Sequence, residues 1–217
     1  MTIYISPIVE GETEDKCLEP LLQRIWNEEI QSSMRLQVFS AIVSKRDQLL
    51  SDKHSQLLES VERAAIRLKS KLQRDVGSSG IVLLLLDAET DCPIQLANKL
   101  LSRCKRDDIQ LACVLAMKMF ENWIVAGAST LAGFNNLPDT LPACVNPEEV
   151  HGSVWLDKQM RLKDATRKYR KTDDAREFVR RMNLVDAHNN SRSFRKLCKE
   201  LRSLLPPPIE LTPETPT

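Results

Sequence analysis

The chain has 217 residues, of which 42% are hydrophobic and 28% are charged, a composition that excludes a disordered protein and allows a sizeable core. The formal net charge of +1 excludes a general electrostatic attraction to nucleic acid or membranes, so any charged binding surface has to be local. Six scattered cysteines, without a CxxC pair or a histidine at ligand spacing, argue against a zinc site and a disulfide framework and suit a reducing cytoplasm.

The hydrophobic pattern predicts alternating strands and helices over the first 130 residues. In chain order these are a strand at 2–9, a helix at 13–30, a strand at 35–43, a helix at 51–75, a strand at 80–88, a helix at 93–107, a strand at 109–117 and a helix at 120–130. The run GIVLLLLDA is continuously apolar, as expected of a parallel strand buried on both faces. The alternation predicts an α/β fold with a mostly parallel sheet of about four strands flanked by helices.

Two residues give local predictions near the start of the chain. Pro7 is expected at an edge or at a strand end, because proline cannot donate to the hydrogen-bond ladder of a sheet. Thr13 is the predicted N-cap of the first helix.

The character of the chain changes after about residue 132, where a loop rich in proline and asparagine is followed by helical patterns only. We therefore divide it into an α/β domain at 1–132, a basic helical extension at 133–205 that packs on this domain, and a disordered Pro/Thr-rich tail at 206–217. The longest apolar run is too short to span a bilayer, and the start MTIYIS lacks the pattern of a signal peptide. The sequence thus predicts a soluble cytoplasmic protein.

Acidic residues follow three of the predicted strands. Glu10 follows the first strand, Asp87 lies at the end of the third, and Glu121 comes four residues after the fourth. Because the carboxyl ends of parallel strands meet at the edge where α/β sheets bind ligands, we expect these side chains to lie close together. If the segment after the third strand stays extended, Asp87, Glu89 and Asp91 point the same way at intervals of about 6–7 Å.

Such a group of carboxylates requires a counter-charge. Oxygen ligands without histidine or thiolate favour Mg²⁺ or Mn²⁺, and Gly11 allows the backbone to turn sharply beside Glu10. Structural alternatives stay open for some of the acidic residues. Glu12 and Glu14 also complement the macrodipole of the first helix, and Asp91 can cap the next one.

The motifs VEGETE and LLLLDAETD resemble the Toprim signature, a glutamate–glycine pair after the first strand followed by a DxD-type motif after the third. A closer resemblance is to a small bacterial group of Toprim-like proteins known only as a domain of unknown function, which is similar to the nuclease half of the overcoming-lysogenization-defect (OLD) family. It covers the chain up to about residue 205 in four motifs: EGxTE at Glu10–Glu14, a DxD type at Asp87–Asp91, ExW at Glu121–Trp123 and SxSF at Ser191–Phe194. Glu89 replaces the middle aspartate, which leaves the exact ligand set open.

The resemblance implies a Toprim-like α/β domain and a Mg²⁺- or Mn²⁺-dependent nuclease, the effector of a bacterial anti-phage defence system. It implies catalytic metal ligands at Glu10, Asp87 and Glu89, with further ligands or water-positioning bases at Glu14, Asp91 and Glu121. It also places a catalytic lysine near Lys171, which would neutralise charge on the phosphoryl group; a solvated surface lysine is the alternative. A partner ATPase of the ABC type, encoded nearby, is implied as well, and the sequence has no Walker A motif.

The segment from Arg161 to Arg202 is rich in lysine and arginine, with Tyr169 and Phe178 interleaved. It predicts a basic helical surface that contacts phosphates beside the acidic site. The residues chosen for this role are Arg167, Lys168, Arg170, Lys171 and Arg195. A solvated helix face is the alternative. Ser191 is the predicted cap of the last helix, and Trp123 is predicted to lie in the core.

The sequence leaves more than one class of function open. A nuclease is the first, and a non-catalytic Toprim-like binding or regulatory subunit of an ATPase complex is the second. Hydrolysis of a small phosphorylated metabolite is a third. The choice between DNA and RNA and the existence of a homo-oligomer are also open.

Overall fold

The computed structural model describes residues 1–53 and 55–206. Its sheet is formed by β1 (Thr2–Val9), β2 (Arg35–Val38), β3 (Ile42–Val43), β4 (Ser79–Asp87) and β5 (Gln110–Ala116). The order across the sheet is β2-β1-β4-β5, with β3 also paired to β1, and the strands run parallel. The predicted α/β fold with a mostly parallel sheet is therefore confirmed. The predicted tail lies outside the described residues from residue 207 onward.

The helices that surround the sheet follow the predicted order in the first half of the chain, and several of them are shorter than predicted. They are α1 (Glu12–Arg24), α2 (Arg46–Leu50), α3 (Gln56–Arg74), α4 (Pro93–Arg103), α5 (Glu121–Ala126), α6 (Gly152–Lys163), α7 (Lys171–Val179), α8 (Leu184–Asn190) and α9 (Arg192–Arg202). A π-helical segment, Ile25–Ile30, continues α1, and a 3₁₀ turn, Ala128–Thr130, follows α5. Within residues 1–53 and 55–206, no helix is both long enough and apolar enough to cross a bilayer.

Alternate residues of β1 enter two hydrophobic cores on opposite faces of the sheet, as the period of two in a strand requires. Ile3 and Ile5 pack with α1 and with α5 to α9, whereas Tyr4 and Ile8 pack with α3 and α4. The helices after residue 150 thus share a core with α1. Phe178 in α7 is fully buried in it. The C-terminal helical region consequently covers one face of the sheet.

Pro7 lies in a central strand, so its predicted edge or end position is wrong. The N–H of Phe39 donates to the carbonyl of Ile5 and that of Ser44 to the carbonyl of Val9, both at 2.9 Å, on the side of β2 and β3. Pro7 lies between Ile5 and Val9 at alternate positions of β1, so its backbone points to the same side of the strand. It therefore faces the gap between β2 and β3. Because no strand residue lies opposite at that point, the missing N–H of proline is tolerated.

Three other local predictions differ from the structure. The predicted strand at 35–43 is divided into β2 and β3. The predicted helix at 51–75 begins later, at Gln56, and a separate short helix, α2, precedes it. Thr13 does not cap α1, because this helix begins at Glu12 with Gly11 as N-cap residue and without a side-chain capping bond.

The strand order reverses between β1 and β4, because the strands that follow β1 in the chain lie on both sides of it. After β1 the chain moves to β2 and β3 on one side, and after α3 it returns to β4 on the other side of β1. Such a switch point opens a crevice beyond the carboxyl ends of the two strands, where open α/β sheets bind ligands. The acidic motifs that follow β1 and β4 therefore lie at the crevice.

Candidate functional site

Glu10 and Asp87 lie side by side at the switch point. The backbone N–H of Asp87 donates to Oε2 of Glu10 at 3.2 Å, which joins the end of β4 to the residue after β1. Oδ1 of Asp87 accepts a hydrogen bond of 2.7 Å from the N–H of Phe120, in the loop after β5. Asp87, the last residue of β4, is thus joined to the residue after β1 and to the loop after β5.

Glu14, Asp87 and Glu121 are buried and close enough for their charges to repel one another, and we call them the inner carboxylates. Their residues are 6%, 9% and 1% exposed, respectively. The side chain of Glu14 turns back toward the start of α1, and a Cβ atom on Gly11 would lie 2.8 Å from its Oε2. Gly11 has an extended φ of −148°, so it provides space for this carboxylate and not the sharp turn that the sequence suggested.

A lysine and a tyrosine contact the inner carboxylates from the C-terminal helical region. Nζ of Lys171, the first residue of α7, lies 3.7 Å from Oε1 of Glu121. The hydroxyl of Tyr169 donates to the same oxygen at 3.4 Å, and its ring stacks on Phe178. Lys171 is 54% exposed, so it faces both the buried acidic group and solvent. The predicted catalytic lysine thus lies at the site.

Glu89 and Asp91 lie on the other side of Glu10, on a turn, and we call them the outer carboxylates. The N–H of Asp91 donates to the carbonyl of Ala88 at 2.8 Å, and Glu89 adopts a left-handed φ of 50°. The expected extended segment from Asp87 to Asp91 is therefore wrong. The backbone leaves the strand conformation directly after Asp87, because the N–H of Glu89 donates to Lys118 in the loop after β5. Asp91 does not cap α4, whose N-cap residue is Cys92.

Arg46, the first residue of α2, binds the outer carboxylates and was not anticipated from the sequence. Its guanidinium lies 2.5 Å from Asp91 Oδ2, 3.4 Å from Glu89 Oε2 and 3.9 Å from Glu10 Oε2. Nε also donates to the backbone carbonyl of Asp87 at 3.2 Å. Arg46 comes three residues after β3, so it reaches the same edge as the acidic residues. Recognition of β3 as a separate strand would have been the signal for it.

Burial and mutual repulsion shift the ionisation of the carboxylates. Burial, followed by the charges of the neighbouring carboxylates, raises the pKa of Asp87 to about 9. Burial also raises the pKa of Glu10 to about 7, against the opposing effects of the Asp87 N–H and of Arg46. The pKa of Glu14 is raised by burial and then by the charge of Glu121, while Lys171 lowers it. At neutral pH the site therefore holds protons unless a cation replaces them.

The predicted phosphate-binding residues divide into two groups. Arg167 pairs with the buried Asp174, and Arg195 donates to the carbonyls of His188 and Asn189 at the end of α8. These two arginines support the fold. Lys168, Arg170 and Lys171, in contrast, are exposed. The segment RKYRK is a loop before α7 that leads into the helix at Lys171, and not the predicted basic helix.

The ExW and SxSF motifs meet in the core beside the site. The indole N–H of Trp123 donates to Oγ of Ser193 at 2.9 Å, and its ring lies edge-on to Phe194 with centroids 5.7 Å apart. Ser191 accepts a bond of 3.1 Å from the Phe194 N–H and caps α9, as predicted. Trp123 is fully buried, which confirms its core position. Trp123, two residues after Glu121, thus joins α5 to Ser193 and Phe194 at the start of α9.

The acidic residues share one edge, but their side chains do not surround a single point. In the part of the chain that the structure describes, no group of three or more His, Cys, Asp or Glu side chains is arranged to hold a metal ion. Instead, Lys171 contacts one member of the inner carboxylates, and Arg46 contacts both outer ones.

A family model described as a domain of unknown function, DUF4276, matches residues 9–202. This chain belongs to the DUF4276 family. The match extends from the last residue of β1 to the end of α9, so it includes both groups of carboxylates, Arg46 and Lys171. No curated protein and no solved structure matches the chain. The DUF4276 description states no activity, so a function has to be argued from the site.

Proposed function

We propose that the chain is a nuclease that hydrolyses phosphodiesters with the help of Mg²⁺ or Mn²⁺. The observation that carries this proposal is the convergence of Glu10 with the three inner carboxylates at the switch point of a parallel sheet. Buried carboxylates with raised pKa values are typical of functional sites, because a fold gains nothing from such repulsion.

The donor set fits a hard divalent cation. It consists of carboxylate oxygens, the ligands that Mg²⁺ and Mn²⁺ prefer. Glu10 and Asp87 would hold the ion, with Glu14 and Glu121 beside them, after side-chain rotations that close the group. When bound, the ion activates water and stabilises the leaving oxygen of a phosphodiester.

The cationic side of the site suits a polyanionic substrate. Lys171 reaches Glu121 and is half exposed, so it can neutralise charge on the phosphoryl group undergoing hydrolysis. Lys168 and Arg170 flank Tyr169 in the same loop and can contact adjacent phosphates. Such contacts are needed because an acidic site alone repels nucleic acid.

The finer parts of the proposal rest on the sequence resemblance to Toprim proteins and the OLD family. They are the choice of a nuclease among phosphoryl-transfer enzymes, the role as effector in anti-phage defence, and the partner ATPase of the ABC type. The parallel sheet with acidic residues after β1 and β4 is consistent with this resemblance.

A non-catalytic Toprim-like subunit of an ATPase complex is the second candidate. The observation that favours it is the neutralisation of the outer carboxylates by Arg46, which shows that part of the acidic edge has an internal counter-charge. In that case the inner carboxylates would bind a divalent ion for a structural or regulatory purpose.

The decisive experiment is incubation of the protein with plasmid, single-stranded DNA and tRNA in Mg²⁺ or Mn²⁺, with and without EDTA. We expect cleavage that EDTA abolishes and that Asp87→Asn lowers by about 100-fold or more, the effect of losing a charge-stabilising group. Asparagine keeps an acceptor for the N–H of Phe120, so the fold is preserved. Asp139→Asn, which removes an exposed charge that pairs with Lys163, is the matched control and should cleave normally.

Two results would contradict the nuclease proposal. Cleavage that persists unchanged in Asp87→Asn would show that another site or a contaminant is responsible. Binding of Mn²⁺ without cleavage of any of the three nucleic acids, alone or with the ATPase, would favour the non-catalytic subunit.

A further inference from the structure

We infer that the acidic edge takes a single divalent cation, at Glu10 and the inner carboxylates, and that the guanidinium of Arg46 occupies a second cation position formed with the outer carboxylates. This inference rests on the proposed function for the identity of the first cation. The assignment of Arg46 rests on its own contacts.

The surroundings of Arg46 have the composition of a site for a hard cation. Three carboxylates, those of Glu10, Glu89 and Asp91, lie within 3.9 Å of its nitrogen atoms. The backbone carbonyls of Asp87 and Ala88 accept from it at 3.2 and 3.5 Å. Carboxylate and carbonyl oxygens are the ligands of Mg²⁺ and Ca²⁺ in proteins. Here a guanidinium contacts all three carboxylates, each through a different nitrogen.

Arg46 is fixed in this position and keeps its charge. Its side chain is only 16% exposed. A guanidinium stays protonated in proteins, so the positive charge is permanent. A second divalent ion among the same oxygens would lie in contact with this charge and would be repelled by it.

The turn that carries the outer carboxylates brings both of them to Arg46. Glu89 is held in its left-handed conformation by the bond of 2.9 Å from its N–H to the carbonyl of Lys118. The bond from the Asp91 N–H to Ala88 closes the turn. By comparison, the half-exposed Lys171 pairs with the inner carboxylates through Glu121, at 3.7 Å. The inner group therefore lacks a counter-charge as closely held as Arg46, and a divalent ion can supply one.

The test is a count of bound Mn²⁺ per chain, by titration monitored through the electron paramagnetic resonance signal of free Mn²⁺. We expect one ion in the wild-type protein and two in Arg46→Gln, which removes the charge and leaves the oxygen ligands in place. Arg46→Lys keeps the charge and should still bind one ion. Adding Glu89→Gln to Arg46→Gln should weaken the second site by about tenfold or more. Circular dichroism melting establishes that each variant is folded.

Two ions in the wild-type protein, or one ion in both the wild-type protein and a folded Arg46→Gln variant, would overturn the inference. If Arg46→Gln does not fold, Glu89→Gln and Asp91→Asn decide the question in the wild-type background. An unchanged Mn²⁺ affinity supports the inference, and a loss of about tenfold, the scale of a lost ligand or supporting group, overturns it.

The same titration separates this inference from the proposed function. No ion in the wild-type protein and one in Arg46→Gln would end the nuclease proposal while supporting the position assigned to Arg46. No ion in either protein would overturn both.

Discussion

Asp87 of the inner group and both outer carboxylates come from one acidic motif, yet the fold places them in opposite surroundings. The inner group is buried, is carried by the end of β4 and the starts of α1 and α5, and pairs with Lys171 at a distance of 3.7 Å from Glu121. The outer group lies on a turn, with side chains 58% and 50% exposed, and is bound by Arg46. Burial without a matching charge, and not the number of acidic residues, therefore distinguishes the two groups.

This difference indicates where binding energy is available. Carboxylates that already have a partner gain little from a metal ion, because the ion must first replace that partner. Carboxylates that repel one another in a buried position gain both a counter-charge and relief of repulsion. The inner group is thus the one poised to bind a cation.

The largest expected effect that distinguishes the inner from the outer group is on nucleic-acid binding by the RKYRK loop beside the inner group. Lys168→Glu combined with Arg170→Glu should weaken nucleic-acid binding by about tenfold or more at moderate salt, and should lower the slope of affinity against salt by about two units. Fluorescence anisotropy over a series of salt concentrations measures both quantities. Arg167 and Arg195 are excluded because they support the fold.

A matched control for this variant combines Arg180→Glu with Lys199→Glu. Both residues are exposed and lie away from the RKYRK loop in the sequence, and the change in net charge is the same. Equal losses in the two double variants would mean that only the total charge matters, and that the inner group has no dedicated phosphate contacts.

A second prediction tests the protonation of Asp87, in the inner group, and of the neighbouring Glu10. The pKa of Asp87 and that of Glu10 are raised on folding, to about 9 and about 7, so the folded chain binds protons more tightly than the unfolded chain. Stability is therefore highest near the ordinary carboxylate pKa and falls as the pH rises toward 9. In EDTA we expect the melting temperature to drop between pH 5 and pH 9, by about 2–4 °C for each kcal/mol lost.

Asp87→Asn should make the melting temperature depend less on pH. Saturating Mg²⁺ should reduce the fall in melting temperature at high pH, because it binds the ionised carboxylates. Asp139→Asn should leave the pH dependence unchanged, because that carboxylate is exposed on the surface. A melting temperature in EDTA that rises steadily from pH 5 to pH 9 would contradict the description of the inner group.

The smallest effect is expected in the outer group. Glu89→Gly removes an exposed ion pair with Arg46, worth about 0–1 kcal/mol, and also removes the strain of a left-handed glutamate, about 1 kcal/mol or more. The free energy of unfolding should therefore change by less than about 1 kcal/mol in urea denaturation. A loss above about 2 kcal/mol would indicate that Glu89 and Arg46 are central to stability, and the contrast between the two groups would weaken.

The sequence predicted the positions of the acidic residues that follow or end the parallel strands. GIVLLLLDA is so strongly apolar that its burial, and with it the placement of Asp87 at the edge of the sheet, follows from composition alone. Glu10 and Glu121 follow from the same rule, since parallel strands end at one edge. Lys171 was placed near the site by resemblance, and the structure brings it to Glu121.

The sequence did not predict the conformation of the turn after β4 or the arginine contacts between residues far apart in the chain. The left-handed conformation of Glu89 arises from a bond to Lys118, a contact between two loops that local pattern does not encode. Arg46 was missed because a two-residue strand such as β3 has no recognisable period. Arg167 and Arg195 read as free surface charges, since their partners are set by the packing of helices.

Ser193 has a practical consequence for anyone who shortens this protein. Its hydroxyl accepts from the N–H of Met117 and from the indole of Trp123, so the first turn of α9 closes the loop that leads from β5 to the start of α5. A fragment ending before α9 would leave both donors unpaired and would uncover the ring of Trp123, against which Phe194 packs. The sheet with its acidic edge is thus not separable from the last helix. Fragments for expression should extend through Arg202, and a fusion partner at this end belongs beyond that residue.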